Sequence, residues 1–127
     1  ALDACLMQMV EVAYEVKGLA EYVAASEETE PVDGYAYDTI FGPLAANPDM
    51  GPAGLAKVIV DAYVNYYQSV NMGAVYSSIK VAALDRFTAL VNEFVYAMIS
   101  AGDLETAKKA KADAQSFYYS NNKDISI

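Results

Sequence analysis

Cys5, the only cysteine of the chain, stands two residues after Asp3 in the opening segment ALDACLMQMV. A thiolate is a strong nucleophile, and a carboxylate two residues before it in an extended segment points to the same side of the backbone. The pair therefore describes a group able to attack a carbonyl and, beside it, a charge able to receive a Lys or Arg side chain. Cys5 is expected where a strand ends and a helix begins. Unpaired N–H groups at such a helix start can lower a thiol pKa by one to several units below ~8.5 and can hold a developing oxyanion. The alternatives are that Cys5 is a small buried residue and that Asp3 is a solvated terminal acid.

The elements that must position this pair follow from periodicity. LMQMVEVAYEVKGLA carries Leu6, Met9, Val10, Ala13, Val16 and Ala20 at three- and four-residue spacing, which predicts an amphipathic helix with Gly18 near its end. EYVAAS reads as an inner strand, apolar on both faces. The acidic, turn-rich EETEPVDGYAYD follows, then a short helix broken by prolines. Pro52 starts a helix whose apolar side holds Leu55, Val58, Ile59, Ala62, Tyr63 and Tyr66. GAVYSSIKVA reads as a strand. LDRFTALVNEFVYAMIS presents a stripe of Leu84, Phe87, Leu90, Val91, Phe94, Met98 and Ile99 and ends at Gly102. Asp103 caps a last helix, and SNNKDISI is a candidate terminal strand.

This alternation predicts an α/β layer architecture, helix-rich and short of strands, with the missing ones expected upstream. With 127 residues the chain is one domain or a fragment, divided into 1–38 (strand end, helix, strand and loop) and 39–127 (helices with one further strand). The absence of an initiator Met and the abrupt start suggest a processed chain or a piece of a longer one.

Composition narrows the function. A net charge of −9 without a basic stripe argues against nucleic acid as partner. No apolar run reaches the roughly 20 residues of a membrane span. A single cysteine excludes an internal disulfide and leaves no resolving thiol for redox work. The chain has no histidine, so a nucleophilic Cys5 needs its base from elsewhere. Glu27, Glu28, Glu30 and Asp33 offer oxygen ligands for calcium but lack the EF-hand spacing, and a solvated loop is the simpler reading; no cofactor is required. Tyr63, Tyr66 and Tyr67 read as a packed seam rather than a ligand platform, and Lys108, Lys109 and Lys111 as an exposed helix face.

Several short motifs in order carry a resemblance. They are Asp3 to Met7, Glu11 to Glu15, Ala25–Ser26, Glu30–Pro31, Gly34–Tyr35 and Tyr37–Asp38. This first third of the chain resembles the nucleophile region of the clostripain family of cysteine endopeptidases, and the later segments match more loosely. The resemblance implies a caspase-like α/β/α sandwich of which this chain is the C-terminal, nucleophile-bearing portion. It implies that Cys5 is the nucleophile, and that Asp3 lies at the base of a pocket reading Arg or Lys before the scissile bond. Asp33 would be a second acid at the pocket mouth, and Ser26 and Glu27 would lie beside the bound peptide.

The family's catalytic His lies upstream in a His-Gly segment, so a further segment or chain must supply it. The resemblance also implies a bacterial protein exported from the cell. The rival reading is a non-catalytic helical module that binds peptides or other proteins.

Overall fold

The computed structural model describes residues 1–117 and 122–123. The chain forms two compact units, residues 1–82 and 83–127. The boundary drawn from sequence at residue 38 falls inside the first.

In the first unit, helix α1 spans Val10–Glu15, strand β1 Tyr22–Ala25, helix α2 Tyr37–Ala46, helix α3 Pro52–Ser69 and strand β2 Ser77–Lys80. The two strands pair antiparallel, with Tyr22 opposite Lys80 and Ala25 opposite Ser77. Glu21 closes that ladder by accepting from the Val81 N–H, so odd-numbered residues of β1 bond towards β2. Even-numbered ones must face the other edge. There the carbonyls of Ala24, Ser26 and Glu28 accept from the N–H groups of Leu2, Gln8 and Leu6 at 2.9, 3.0 and 3.2 Å. The opening segment is thus laced along one edge of β1 and its continuation. The inner position expected for this strand is what its buried Val23, Ala24 and Ala25 show.

Those same bonds correct the expected first helix. The amides of Leu6 and Gln8 serve the edge of β1, and Leu6 takes a left-handed φ of 61°, so the helix begins only at Val10. Cys5 lies in the preceding turn, not at a helix N-terminus. Its surroundings must come from tertiary contacts instead.

Helix α3 packs on β1, β2 and α2. Its buried face is Ala56, Ile59, Tyr63 and Tyr67, the last three joined by Ala24, Tyr35, Ile40 and Tyr76 in one core. The Tyr63 ring lies 4.4 Å from that of Tyr76 and 4.7 Å from that of Tyr67, with Tyr35 edge-on at 5.8 Å. Such tilted and edge-to-face pairs add to area burial. The tyrosine seam read from spacing is therefore core, with Tyr66 packed at its margin.

In the second unit, α4 spans Leu84–Ala101 and α5 Leu104–Asp113, followed by the two-residue strands β3 (Ser116–Phe117) and β4 (Asn122–Lys123), which pair antiparallel. Gly102 ends α4 in the left-handed region at φ 64°, a conformation that costs glycine little. Asp103 caps α5 by accepting from Thr106 N–H at 3.0 Å. Of the expected terminal strand, Asn122 and Lys123 form β4; its other residues lie outside the described ones. Of the α4 stripe only Leu84 is buried. The α/β class expected from the sequence holds: the chain is helix-rich with a small sheet.

Candidate active site

The loop after β1 brings the acid and the thiol together through one residue. The Ser26 hydroxyl, almost wholly buried, accepts from the Glu28 N–H at 3.0 Å and lies 2.8 Å from the Val75 carbonyl. This staple turns the chain so that residues 28–34 fold back over the opening segment. Glu30 then touches both expected site residues. Its backbone N–H donates to the Cys5 sulfur at 3.2 Å, and its carboxyl lies beside that of Asp3. Cys5 is exposed, which sets aside the reading of a small buried core residue.

Asp3 is gripped from a second side. The Tyr37 hydroxyl, at the first residue of α2, donates to Asp3 Oδ2 at 2.5 Å. Tyr37 is oriented by its ring, stacked 6.0 Å from Phe41 one turn along the helix and tilted against Tyr35 at 5.6 Å. Asp3 is nonetheless an exposed residue, and Gly34 lies against it at φ 61°. A Cβ built there would lie 3.2 Å from both Asp3 carboxylate oxygens, so the position suits a residue without one. The Tyr67 hydroxyl donates to the Gly34 carbonyl at 2.6 Å, tying this turn to the α3 core. Behind it, Tyr35 and Tyr76 share a hydroxyl contact, and Tyr76 donates to the Ala24 carbonyl at 3.0 Å.

The electrostatics follow from this crowding. Burial, then the hydrogen bond and the charge of Asp3, push the Glu30 carboxyl up to about 7, against a smaller opposing pull from the Ala4 N–H. The bond to Asp3 raises the Tyr37 phenol, with loss of solvent and the two nearby acids adding to it. Burial raises the phenols of Tyr63, Tyr67 and Tyr76, so all three stay neutral at physiological pH.

The other expected site residues are placed differently. Asp33 is exposed at a corner of the turn closed by the Gly34 N–H to Pro31 carbonyl bond at 3.0 Å. Glu27 is half-buried. The Ser26 side chain is interior and its carbonyl is already taken by Gln8. Sequence reasoning passed over Glu30, read as one member of a solvated acidic run, and Tyr37, read only as a motif letter. Their place in the motifs Glu30–Pro31 and Tyr37–Asp38 was the available signal. Among the described residues no group of three or more His, Cys, Asp or Glu side chains could hold a metal ion. A pocket of about 500 Å3 lined by Lys17, Tyr22, Pro52, Gly54 and Lys80 contains none of these site residues. Among the described residues no helix is long and apolar enough to cross a membrane.

An exposed thiol beside an acid suits a cysteine peptidase, and comparison with known proteins agrees. A B. fragilis cysteine protease is 27% identical with a TM-score of 0.56, over 67% of this chain and 38% of that one. An inactive zymogen protease from Parabacteroides distasonis is 31% identical with a TM-score of 0.58, over 68% and 23%. A secreted cysteine protease from Bacteroides thetaiotaomicron, solved with an irreversible peptide inhibitor, is 28% identical with a TM-score of 0.58, over 68% and 27%. This likeness supports the caspase-like architecture expected from the sequence. The chain spans well under half the length of these relatives. No curated protein matches the chain. The profile of the clostripain family, however, matches residues 1–126, and the chain belongs to that family.

Proposed function

We propose that this chain carries the nucleophile of a cysteine endopeptidase that cuts after Arg or Lys. One observation carries the reading: Glu30 holds the exposed Cys5 sulfur with its backbone and the Asp3 carboxyl with its side chain, so nucleophile and acid share one support. Cys5, deprotonated by a histidine that this sequence does not contain, attacks the scissile carbonyl. The tetrahedral intermediate expels the amine, which takes the proton from the imidazolium. Water then hydrolyses the thioester, releasing the acid and restoring the thiol. A further segment or chain supplies the histidine. Asp3 receives the substrate cation, and the geometry favours Asp3 with Glu30 over Ser26, Glu27 and Asp33 as its contacts. The secreted relative supports an exported bacterial enzyme.

The test is hydrolysis by the full protein of short peptides ending in Arg, Lys or Leu. Cys5→Ala is expected to lower the rate about a thousandfold or more. Asp3→Asn is expected to cost about 2–5 kcal/mol of transition-state binding for Arg and Lys and much less for Leu. Full activity in Cys5→Ala overturns the nucleophile. An unchanged preference in Asp3→Asn overturns the specificity. A folded protein that binds peptides without cutting them would instead favour the interaction module.

A further inference from the structure

The contact between Asp3 and Glu30 sets a condition on their protonation. Ionised carboxylates only accept hydrogen bonds, so two of them in contact repel unless one proton lies between them. The Oε1 atom of Glu30 is buried, and no N–H or O–H of the described residues donates to it. A buried acceptor without a donor is rare in a folded protein and marks a place that something else fills. The hydrogen can come from the pair's own proton, from water, from the further segment that supplies the histidine, or from the N–H of a ligand.

We propose that Asp3 and Glu30 act as one acid pair that holds a single proton in the absence of substrate and releases it when the substrate's cationic side chain binds. Glu30 is then a specificity-determining residue, and binding of basic substrates is linked to pH. This rests on the reading of Asp3 as the acid that receives Arg or Lys.

The surroundings fit. The groups facing the pair are Ala4 and Cys5 from the opening segment, Tyr37 from α2, Tyr63 and Tyr67 from α3, and Tyr76 ahead of β2. The phenols are neutral, and among the described residues neither carboxyl is ion-paired. An entering guanidinium or ammonium would offer several donors to the two carboxyls at once. It stabilises the doubly ionised pair, and the displaced proton goes to solvent. With Glu30 titrating at about 7 against an ordinary 4.5, this exchange falls near neutral pH. A raised carboxyl pKa also means that the folded state binds more protons than the unfolded one. Stability therefore falls as pH rises between about 4.5 and about 7, and Glu30→Gln should remove that slope.

Two measurements on the full protein decide the matter. The first is the ratio of kcat/KM for an Arg peptide to that for a Leu peptide across pH, in which titration of the catalytic groups cancels. It should climb as pH rises towards and through neutrality, by up to about tenfold per unit, the limit for one proton. In Glu30→Gln, an isosteric side chain that cannot share the proton, the ratio should stay flat and lower. The second is calorimetric titration of Cys5→Ala with benzamidine in buffers of different ionisation enthalpy, which should show release of up to one proton per cation bound. Binding without proton release overturns the pair while leaving Asp3 as the specificity acid. An Arg preference that rises identically in Glu30→Gln does the same. No benzamidine binding together with no Arg preference overturns both this inference and the specificity reading beneath it.

Discussion

Helices α3 and α4 have the same length, 18 residues each, and both carry an apolar stripe at helical spacing, yet they end in different states. α3 buries Ala56, Ile59, Tyr63 and Tyr67. α4 buries only Leu84, while Leu90, Phe94 and Ile99 stand 52%, 61% and 70% exposed. Periodicity tells which face of a helix is apolar; it does not tell whether a matching surface exists to cover it. For α3 that surface is β1, β2 and α2. The buried helix also matters to the site, because the Tyr67 hydroxyl holds the carbonyl of Gly34, the residue that lies against Asp3.

The largest test of the comparison is Tyr63→Ala. It empties the centre of the α3 seam, where the ring touches Tyr35, Tyr67 and Tyr76. A loss of about 3–5 kcal/mol is expected, read by urea denaturation with circular dichroism. A loss below ~1 kcal/mol would mean that the seam relaxes freely, and α3 would then differ little from α4.

Ser26→Ala probes the staple rather than the seam. It leaves the Glu28 N–H and the Val75 carbonyl without their hydroxyl partner. About 1–3 kcal/mol should be lost, the usual cost of stranding buried polar groups. Because the staple aims residues 28–34, the Arg preference should weaken along with stability. Lost stability with unchanged preference would separate the fold of the loop from its function.

Asp103→Ala tests a local device that needs no tertiary partner. The carboxylate is held below the usual range by the Thr106 backbone and hydroxyl bonds that it accepts. Losing the cap should loosen the first turn of α5, visible as fewer protected amides in hydrogen exchange. No change in protection would show that the i,i+3 and i,i+4 pairs Lys108–Glu105 and Lys109–Asp113 hold the helix without it.

What could be read in advance divides along the same line. α3, with Pro52 at its start, and α5, with Asp103 as cap, depend on local rules, and both stood in the sequence. So did the inner strand β1, whose uninterrupted apolar run has a simple meaning. The start of α1 was not legible, because Leu6 and Gln8 donate to carbonyls some 20 residues away and no local propensity records that choice. The site behaved likewise. Asp3 and Cys5 could be singled out by type and spacing. The approach of Glu30 and the grip of Tyr37 arise only once the loop folds back, 25 and 34 residues along the chain. An acidic run looks solvated until the fold brings one half-buried member beside another acid.

The smallest expected effect is the sharpest test of α4. Phe94 is large, apolar and 61% exposed, and serine has nearly the same helix propensity. Phe94→Ser therefore changes burial and little else. In the chain of residues 1–127 it should shift stability by no more than about 0.5 kcal/mol, as surface substitutions do. The same chemistry in α3, where Ile59→Ser would strand a hydroxyl in the core, should cost several times more. A loss of about 2 kcal/mol at Phe94 would mean that its ring is covered in solution. The contrast between the two helices would then vanish, and with it the conclusion that a stripe at helical spacing can stay open in this chain.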